Sequence, residues 1–329
     1  MRSFKYILSG IAAAILTIVS GGAAQAQQKA PEPLVINYAA PNALWWDVDV
    51  AIDKGFLKDE GFAPEATPFQ NSPQAVQLLV TQSAQAAGLQ PEALMDADLR
   101  GADIAAIVEP EIRPDWFFVV APAIKTWSDL KGKNLGFSSL KVNEVWLTQK
   151  LLAAHGLGKS DWTALQVGIT PLKIAALKRG SIAGAALFQP GAEIGLKDGL
   201  KALATYSELK GDFPPALIAV NRKWAATNEN GVRFKRAFAR AHQWLYDPAN
   251  RAEAERILEK HTKASPEIAK QVYHSLFVTE KIYTRDGEIG LNGLKNALQL
   301  VAGAGEIAAD KLPQPASLVW QPSGGTSHP

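Results

Sequence analysis

The chain has 329 residues, no cysteine, and 34 basic against 32 acidic side chains, giving a formal net charge of +2. This length is sufficient for two modest domains, and the lack of cysteine excludes disulfides, so that stability must come from a buried core. The near-neutral charge, without a basic stripe, excludes nucleic acid as an expected partner.

The N-terminus has the three regions of a secretory signal peptide. Arg2 and Lys5 supply positive charge, an apolar run extends from residue 6 to residue 19, and Ala24-Gln25-Ala26 is a small-residue cleavage motif. The pattern predicts a signal peptide at residues 1–26. A membrane anchor is the alternative, but the apolar run is too short to span a bilayer comfortably. A lipid anchor would need a cysteine at the cleavage point, so we expect a freely soluble protein in the periplasm.

Short apolar runs typical of strands follow, separated by segments with the spacing of amphipathic helices. This alternation predicts an α/β fold, with parallel-type sheets covered by helices on both faces. The predicted strands are residues 34–39, 103–109, 116–121, 134–138, 165–168, 184–188, 200–205 and 216–221, and two more end near residues 69–71 and 87–90.

Helical spacing is clearest at residues 45–56, 142–155 and 171–179. The third of these has Thr170 as its expected N-cap, Pro171 at its first position and Gly180 just past its end. Strand patterns stop at about Asn228, and helices are expected from there on. The tail after Pro313 is rich in proline, serine and glycine and is expected to fray.

Four segments, in this order, resemble a known family. They are AIDKGFLKDEGF at residues 51–62, WSDLKGKNLG at 127–136, AALKRGSIAGA at 175–185 with Gln189-Pro190 after it, and FPPALIAVN at 213–221. The family comprises the substrate-binding proteins of nitrate, sulfonate, taurine and thiamine-pyrimidine ABC importers, and the resemblance covers residues 34–305. Two positions depart from it, because Ala183 stands where an acid is usual and residues 82–88 lack the expected Gly-x-x-Asp.

The resemblance implies a two-lobed periplasmic-binding-protein fold of type II, with two parallel-type sheets and two hinge crossings near Ala121 and Ala219. Lobe one would combine residues 33–120 with 220–313, lobe two would be residues 121–219, and residues 314–329 would form a flexible tail. The implied partners are a small-molecule ligand and the importer permease in the inner membrane. A monomer without a cofactor or metal, and without enzymatic activity, is expected.

Ligands of open α/β sheets bind beyond the carboxyl ends of the strands, which selects the candidate residues. In lobe one they are Asn42, Trp45, Trp46, Gln70, Asn71 and Gly88; in lobe two they are Ser138, Ser139, Asn143, Glu144, Thr170, Phe188 and Gln189. Helical spacing turns Trp45 inward with Val48 and favours Trp46 as the ligand contact, although both could pack in the core. The serines precede a helix start that could hold an anion, or they are plain caps.

Three charged residues near the first crossing are weaker candidates. Glu109 and Glu111 could bind a ligand amine, although exposure to solvent is commoner, and Arg113 is the nearest arginine for an anion. A small organic solute with a planar part and one polar or anionic end is expected: a sulfonate, a carboxylate or a pyrimidine.

Two other functional classes remain open. One is a cofactor-free enzyme on the same fold, either a dehydratase or a pyrimidine-precursor synthase, although the latter would require a cysteine cluster that this chain lacks. The five scattered histidines and the lack of a nucleophile elbow or P-loop show no catalytic motif. The other class is a ligand-sensing partner of a membrane receptor.

Overall fold

The computed structural model describes residues 30–39, 41–69 and 72–322, and the predicted signal peptide lies outside them. The strands in this part of the chain are β1 (Glu32–Tyr38), β2 (Phe62–Pro68), β3 (Ala86–Leu89), β4 (Ile104–Val108), β5 (Phe117–Val120), β6 (Lys133–Phe137), β7 (Trp162–Gln166), β8 (Gly184–Leu187), β9 (Lys201–Thr205) and β10 (Leu217–Asn221).

The α-helices between and after these strands follow the predicted alternation. They are α1 (Trp46–Asp53), α2 (Phe56–Asp59), α3 (Ser72–Val80), α4 (Pro91–Leu99), α5 (Asn143–Ala154), α6 (Thr170–Arg179), α7 (Gly191–Lys197), α8 (Arg222–Ala226), α9 (Asn230–Tyr246), α10 (Arg251–Thr262), α11 (Pro266–Tyr273) and α12 (Leu291–Gly303), and a π-helical turn (His274–Thr279) extends α11.

The strands form two five-stranded sheets of the same design. The first has the order β2-β1-β3-β10-β4 and the second the order β7-β6-β8-β5-β9. In each sheet the fourth strand alone runs antiparallel, pairing with both of its neighbours. Strands β4, β8 and β10 are buried along their whole length, in keeping with their continuous apolar sequences. β8 and β10 lie inside their sheets, whereas β4 is an edge strand whose Ala106 is bridged by Val319. The predicted α/β fold is confirmed.

The two crossings between the sheets lie earlier than the expected hinges. The chain leaves the first sheet after Val108 and enters the second at Phe117, then returns between Thr205 and Leu217. The predicted lobe boundary at residue 120 therefore falls after β5, although β5 pairs within the second sheet. The boundary at residue 219 falls inside β10. The division into two moving lobes stays a prediction.

Two local predictions are wrong. Ile169, not Thr170, is the N-cap of α6, and Thr170 is the first helical residue, while Gly180 ends the helix with a φ of +69° as expected. The tail does not fray over residues 314–322, because Trp320 is buried and its backbone N–H donates to Ala106 at 2.8 Å. The Trp320 ring packs on Gly231, where a Cβ would come within 2.4 Å of it. Residues 323–329 lie outside the described part.

Helix α12 connects the two halves of the fold. It packs against α4, which flanks the first sheet, and against α5, which follows β6 of the second. Its buried face consists of Leu294, Ala297, Leu298 and Val301, at the three- and four-residue spacing of an amphipathic helix.

Candidate functional site

The carboxyl ends of the parallel strands in both sheets face each other, and hydrogen bonds connect the two edges. The backbone N–H of Ala43, after β1, donates to the carbonyl of Gln189, after β8, at 3.0 Å. The N–H of Asn143 donates to Glu92 Oε1 at 2.8 Å, and its side-chain amide donates to the carbonyl of Pro215 at 2.8 Å. A ligand site of the kind predicted would lie along these edges.

Trp46 lies in the core, contrary to its expected role as the favoured ligand contact. Its side chain is fully buried, and the indole N–H donates to the carbonyl of Ala254 at 3.2 Å. The rings of Tyr273 and Phe277 pack edge-on against it, with centroids 6.0 and 5.5 Å away. Because its donor is paired and its faces are covered by protein, Trp46 leaves the set of ligand candidates.

Trp45 is the better candidate of the two tryptophans. It is buried too, but its indole N–H has no hydrogen-bond partner. The ring lies directly over Gly88 of β3, where a Cβ would be 2.2 Å from a ring carbon. Gly88 therefore acts by letting the ring approach the strand, and any larger residue there would displace Trp45. The expected inward orientation of Trp45 agrees with its burial, whereas Trp46, expected to face a ligand, is buried as well.

Several other candidates make only local contacts. The Asn42 side chain accepts from the backbone N–H of Leu44 at 3.0 Å, as a cap of the short 3₁₀ turn that follows β1. Ser139 and Thr170 are half-buried, and the Thr170 methyl group packs on Gly191. Gln70 and Asn71 lie outside the described residues.

A buried polar group in the second half of the fold, here called the lysine cluster, joins Ser138, Glu144, Thr148, Lys173 and Tyr206. Lys173 Nζ lies 2.6 Å from Glu144 Oε1, and Ser138 Oγ donates to Glu144 Oε2 at 2.5 Å. Thr148 Oγ1 donates to the Glu144 carbonyl at 2.6 Å and lies 2.5 Å from the Tyr206 hydroxyl. Lys173 and Glu144 are 0% and 1% exposed, so this ion pair is shielded from water.

The lysine cluster faces the aromatic wall of the site. Lys173 Nζ lies 4.5 Å from the centroid of the half-buried Phe188 ring, which packs on Trp116 with centroids 4.8 Å apart. The ammonium thus has a carboxylate on one side and a π face on another, and both stabilise its charge. The Glu144 carboxylate is already paired, so the predicted ligand role of Ser138 and Glu144 would require them to exchange partners.

A second buried group, here called the acid cluster, joins Glu111, Asp115, Gln189 and Glu193. Glu111 and Asp115 lie on the crossing between β4 and β5, Gln189 follows β8, and Glu193 is one turn further on in α7. Gln189 Nε2 donates to the Asp115 carbonyl at 3.2 Å, which ties the two chain segments together. Both carboxylate oxygens of Glu111 and of Asp115, Gln189 Oε1 and Glu193 Oε2 are buried without a hydrogen-bond partner.

The acid cluster strongly disfavours its own ionisation. Burial, and then the charge of Asp115, raise the pKa of Glu111 well above its ordinary value. Burial, and then the charge of Glu193, raise the pKa of Asp115 to about 8, and burial raises the pKa of Glu193 to about 7. A nearby positive charge would reverse this effect, because it favours the ionised carboxylates.

The other charged residues of the first crossing already have partners. Glu109 Oε2 accepts from the backbone N–H of Gly290 at 2.9 Å, and burial raises the pKa of this carboxyl to about 8. Arg113 donates to the carbonyl of Glu280 at 3.0 Å and lies 3.6 Å from the Asp212 carboxylate. Glu109, considered for a ligand amine, and Arg113, considered for an anion, thus both have protein partners.

Reasoning from the sequence missed Lys173, Thr148 and Tyr206 of the lysine cluster and Asp115 and Glu193 of the acid cluster, and it also missed Glu92, which accepts from Asn143. One of them had a readable signal. Lys173 shares a helix face with Ala176 and Leu177, at the three- and four-residue spacing, so a lysine stands on the apolar stripe of α6. The three acids had none, since only the folded chain shows that they are buried.

Over the part of the chain that the structure describes, no helix is long and apolar enough to cross a membrane. Within the same residues, no group of three or more histidine, aspartate or glutamate side chains is placed to hold a metal ion.

Comparison with known proteins identifies the family. The sequence model described as NMT1/THI5 like matches residues 47–252, more than half of the chain. The chain belongs to the NMT1/THI5-like family. The predicted resemblance is thereby confirmed. None of the curated protein sequences compared with this chain matches it.

Solved structures similar to this family member share its fold. The alkanesulfonate-binding protein SsuA from Xanthomonas axonopodis pv. citri, bound to MOPS, has a TM-score of 0.69 at 20% identity, covering 88% of this chain and 99% of that chain. The ligand-binding component of an ABC-type import system from Staphylococcus aureus, with zinc bound, has a TM-score of 0.74 at 16% identity, covering 89% and 97%.

The periplasmic nitrate-binding protein NrtA from Synechocystis PCC 6803 is more distant, with a TM-score of 0.65 at 14% identity over 87% of this chain and 92% of that chain. At these identities the similarity shows the fold alone, which is the type II periplasmic binding fold.

Proposed function

We propose that the protein is the solute-binding component of an ABC importer, which captures a small organic molecule between the facing edges of its two sheets and delivers it to a membrane permease. The protein would be exported to the periplasm through its N-terminal signal peptide and would catalyse no reaction.

The observation that carries the proposal is the placement of unsatisfied polar atoms. Buried polar groups in folded proteins almost always have a hydrogen-bond partner, and exceptions need an explanation. Here Gln189 Oε1 and the Asp115 carboxylate lack one at the carboxyl edge of the second sheet, and the Trp45 indole lacks one at the edge of the first. In α/β sheets this is the edge at which ligands bind, so a ligand would supply the missing partners.

Family membership and fold agree with this role. Similar structures include proteins named for binding alkanesulfonate and nitrate, so small polar solutes are a reasonable first set of compounds to test. The aromatic wall of Trp116 and Phe188 would suit a planar or aliphatic part of the solute.

Thermal denaturation of the purified protein tests the proposal against panels of sulfonates, nitrate, carboxylates, amino acids and thiamine pyrimidines. A ligand that binds the folded state alone raises the midpoint by mass action, so we expect a rise with one chemical class. Mass spectrometry of an acid-denatured sample checks in parallel for a solute that copurifies.

Recovery of the bound compound separates binding from catalysis. After long incubation with the protein, chromatography should return the ligand unchanged, whereas a product would assign the chain to the enzyme class instead. A well-folded sample that responds to no class and carries no solute would refute the proposed function.

A further inference from the structure

The acid cluster consists of acceptors. Glu111, Asp115 and Glu193 contribute carboxylate oxygens, and Gln189, 2% exposed, contributes an amide oxygen whose own N–H₂ is already directed at the Asp115 carbonyl. All of these oxygens are buried and unpaired. A group that satisfied them would have to be a hydrogen-bond donor with several N–H or O–H bonds.

No basic side chain near the acid cluster neutralises it. Arg113 lies on the same crossing, but its guanidinium is occupied by the Glu280 carbonyl and Asp212. Arg285, on the same side of the fold, stacks on the Tyr246 ring at 4.0 Å. Buried carboxylates are normally paired with a cation, so the described residues leave this position unfilled by the protein itself.

A small cavity lies against Asp115 and Gln189 of the acid cluster. It has a volume of about 30 Å³ and is lined by these two residues, by Trp116 and Phe117 of the second sheet's edge, and by Ser275, Glu280 and Ile282, whereas Glu111 and Glu193 do not line it. A water-sized group needs roughly 10–15 Å³ on this measure, so the cavity holds about two such groups. It has room for the head of a solute, while the rest would extend along the facing edges.

We propose that the acid cluster binds the primary ammonium group of the transported solute, an inference that rests on the proposed solute-binding function. An ammonium is a compact cation with three donors, which matches the size of the cavity and the three unpaired oxygens of the two cluster residues that line it, the Asp115 carboxylate pair and Gln189 Oε1, whereas a guanidinium is planar and larger. The solute is accordingly an amine-bearing molecule, such as an amino acid, an aminosulfonate or an aminomethyl heterocycle.

The position of the cluster connects this contact to both halves of the fold. Asp115 belongs to the crossing between the sheets and Glu193 to α7 of the second sheet, while Ala43 of the first sheet donates to the Gln189 backbone. A cation held here would contact the edge of the second sheet and the crossing together. Ionisation of carboxylates with raised pKa values would accompany its binding, with release of protons.

Matched pairs of solutes test the inference by isothermal titration calorimetry. Taurine is compared with isethionate, glycine with glycolate, and the aminomethyl with the hydroxymethyl form of the thiamine pyrimidine. Within each pair, the ammonium or amine group of one compound is replaced by a hydroxyl group in the other, and the rest of the molecule is the same. For the pair that fits, we expect the amine to bind tighter by about tenfold or more, because it is the partner of buried charges.

Substitutions in the acid cluster test whether the ammonium group binds there. Asp115→Asn and Glu193→Gln should each remove most of the amine's advantage while the hydroxyl compound keeps its affinity. Both variants remove a buried, unpaired carboxyl group whose ionisation is costly, so they should fold at least as stably as the parent protein. Glu267→Gln is the matched control, since Glu267 is an exposed acid paired with Lys197 and should leave every affinity unchanged.

The outcomes separate the inference from the proposed function. Equal or tighter binding of a hydroxyl compound, or an amine preference that survives in both variants, overturns the ammonium site and leaves a solute-binding protein. Stabilisation by calcium, magnesium or zinc ions with no amine binding also overturns it. If no amine binds, the inference fails. The proposed function fails as well only when no compound of the wider panels stabilises the protein and no solute copurifies with it.

Discussion

The lysine cluster and the acid cluster lie in the same region and show two ways in which a fold treats buried charge. In the lysine cluster, Glu144 faces Lys173 at 2.6 Å and a serine hydroxyl at 2.5 Å, so each charge has a partner. In the acid cluster, Glu111 and Asp115 are also buried, at 0% and 9% exposed, and their carboxylate oxygens have no hydrogen-bond partner. Burial alone therefore does not show whether a charged side chain is satisfied by the protein, whereas its hydrogen-bond partners do.

The comparison has an energetic consequence. Removing one partner of a satisfied buried ion pair leaves the other charge uncompensated and is strongly destabilising. Removing a charge that had no partner relieves a desolvation cost and should be neutral or stabilising. Removing a charged group is thus expected to lower the free energy of unfolding in the lysine cluster and to leave it unchanged or raise it in the acid cluster. Both effects can be measured in one protein.

The largest effect is expected for Lys173→Met, which keeps the size of the side chain and removes its charge. Glu144 is then buried without its cation, so the free energy of unfolding should fall by about 3–5 kcal/mol in urea denaturation. The control is Lys178→Met, five positions along the same helix at an exposed pair with Asp198, which should change the free energy of unfolding by at most about 1 kcal/mol. A small effect at Lys173 would mean that Glu144 finds another partner.

The second prediction has the opposite sign. Asp115→Asn should raise the free energy of unfolding of the ligand-free protein at pH 8 by on the order of 1 kcal/mol or more, because a buried carboxylate no longer has to ionise. The same measurement at pH 5, where Asp115 is protonated in the folded protein, should show a smaller gain. Destabilisation at both values would show that Asp115 has a structural partner.

The pH dependence of stability of the unmodified protein is the third prediction. The pKa of Asp115 rises on folding from 3.8 to about 8, and that of Glu193 from 4.5 to about 7, because of burial. The folded state then binds more protons than the unfolded chain between these limits, so stability falls as pH rises from about 4 to about 8. Circular dichroism melts at steps across this range measure the slope, and Asp115→Asn should make it shallower.

The smallest effect is expected at the far end of the lysine cluster. Tyr206→Phe removes only the hydroxyl that meets Thr148, and a neutral hydrogen bond contributes about 0.5–1.5 kcal/mol. Thr148 retains its bond to the Glu144 carbonyl, so no polar group is orphaned. Urea denaturation should show a loss within that range, and a loss as large as that of Lys173→Met would mean that Tyr206 supports the ion pair itself.

Much of the fold could be predicted from local patterns. Continuous apolar runs predicted β4, β8 and β10 to within a residue or two, because a strand that is buried along its whole length is apolar throughout. Helical spacing likewise located α5 and α6. β7 was predicted too late, at residues 165–168 instead of Trp162–Gln166, since this edge strand is mostly exposed and gives a weaker signal than a buried strand.

The site was predicted less well, for a physical reason. The rule that ligands meet strand ends led to Gln189 and Phe188. It could not tell Trp45 from Trp46, because adjacent aromatic residues at the start of a helix are both buried and only their neighbours differ.

The sequence by itself determined the compositional class, the alternation of strands and helices, the resemblance to the family and the edges where a ligand would bind, since each depends on residues close together in the chain. Only the tertiary structure decided which charges are paired. Lys173 reaches Glu144 across 29 positions, and Asp115 meets Gln189 across 74. Whether a buried carboxylate has a partner depends on such long-range contacts, and it is this difference that distinguishes the two clusters.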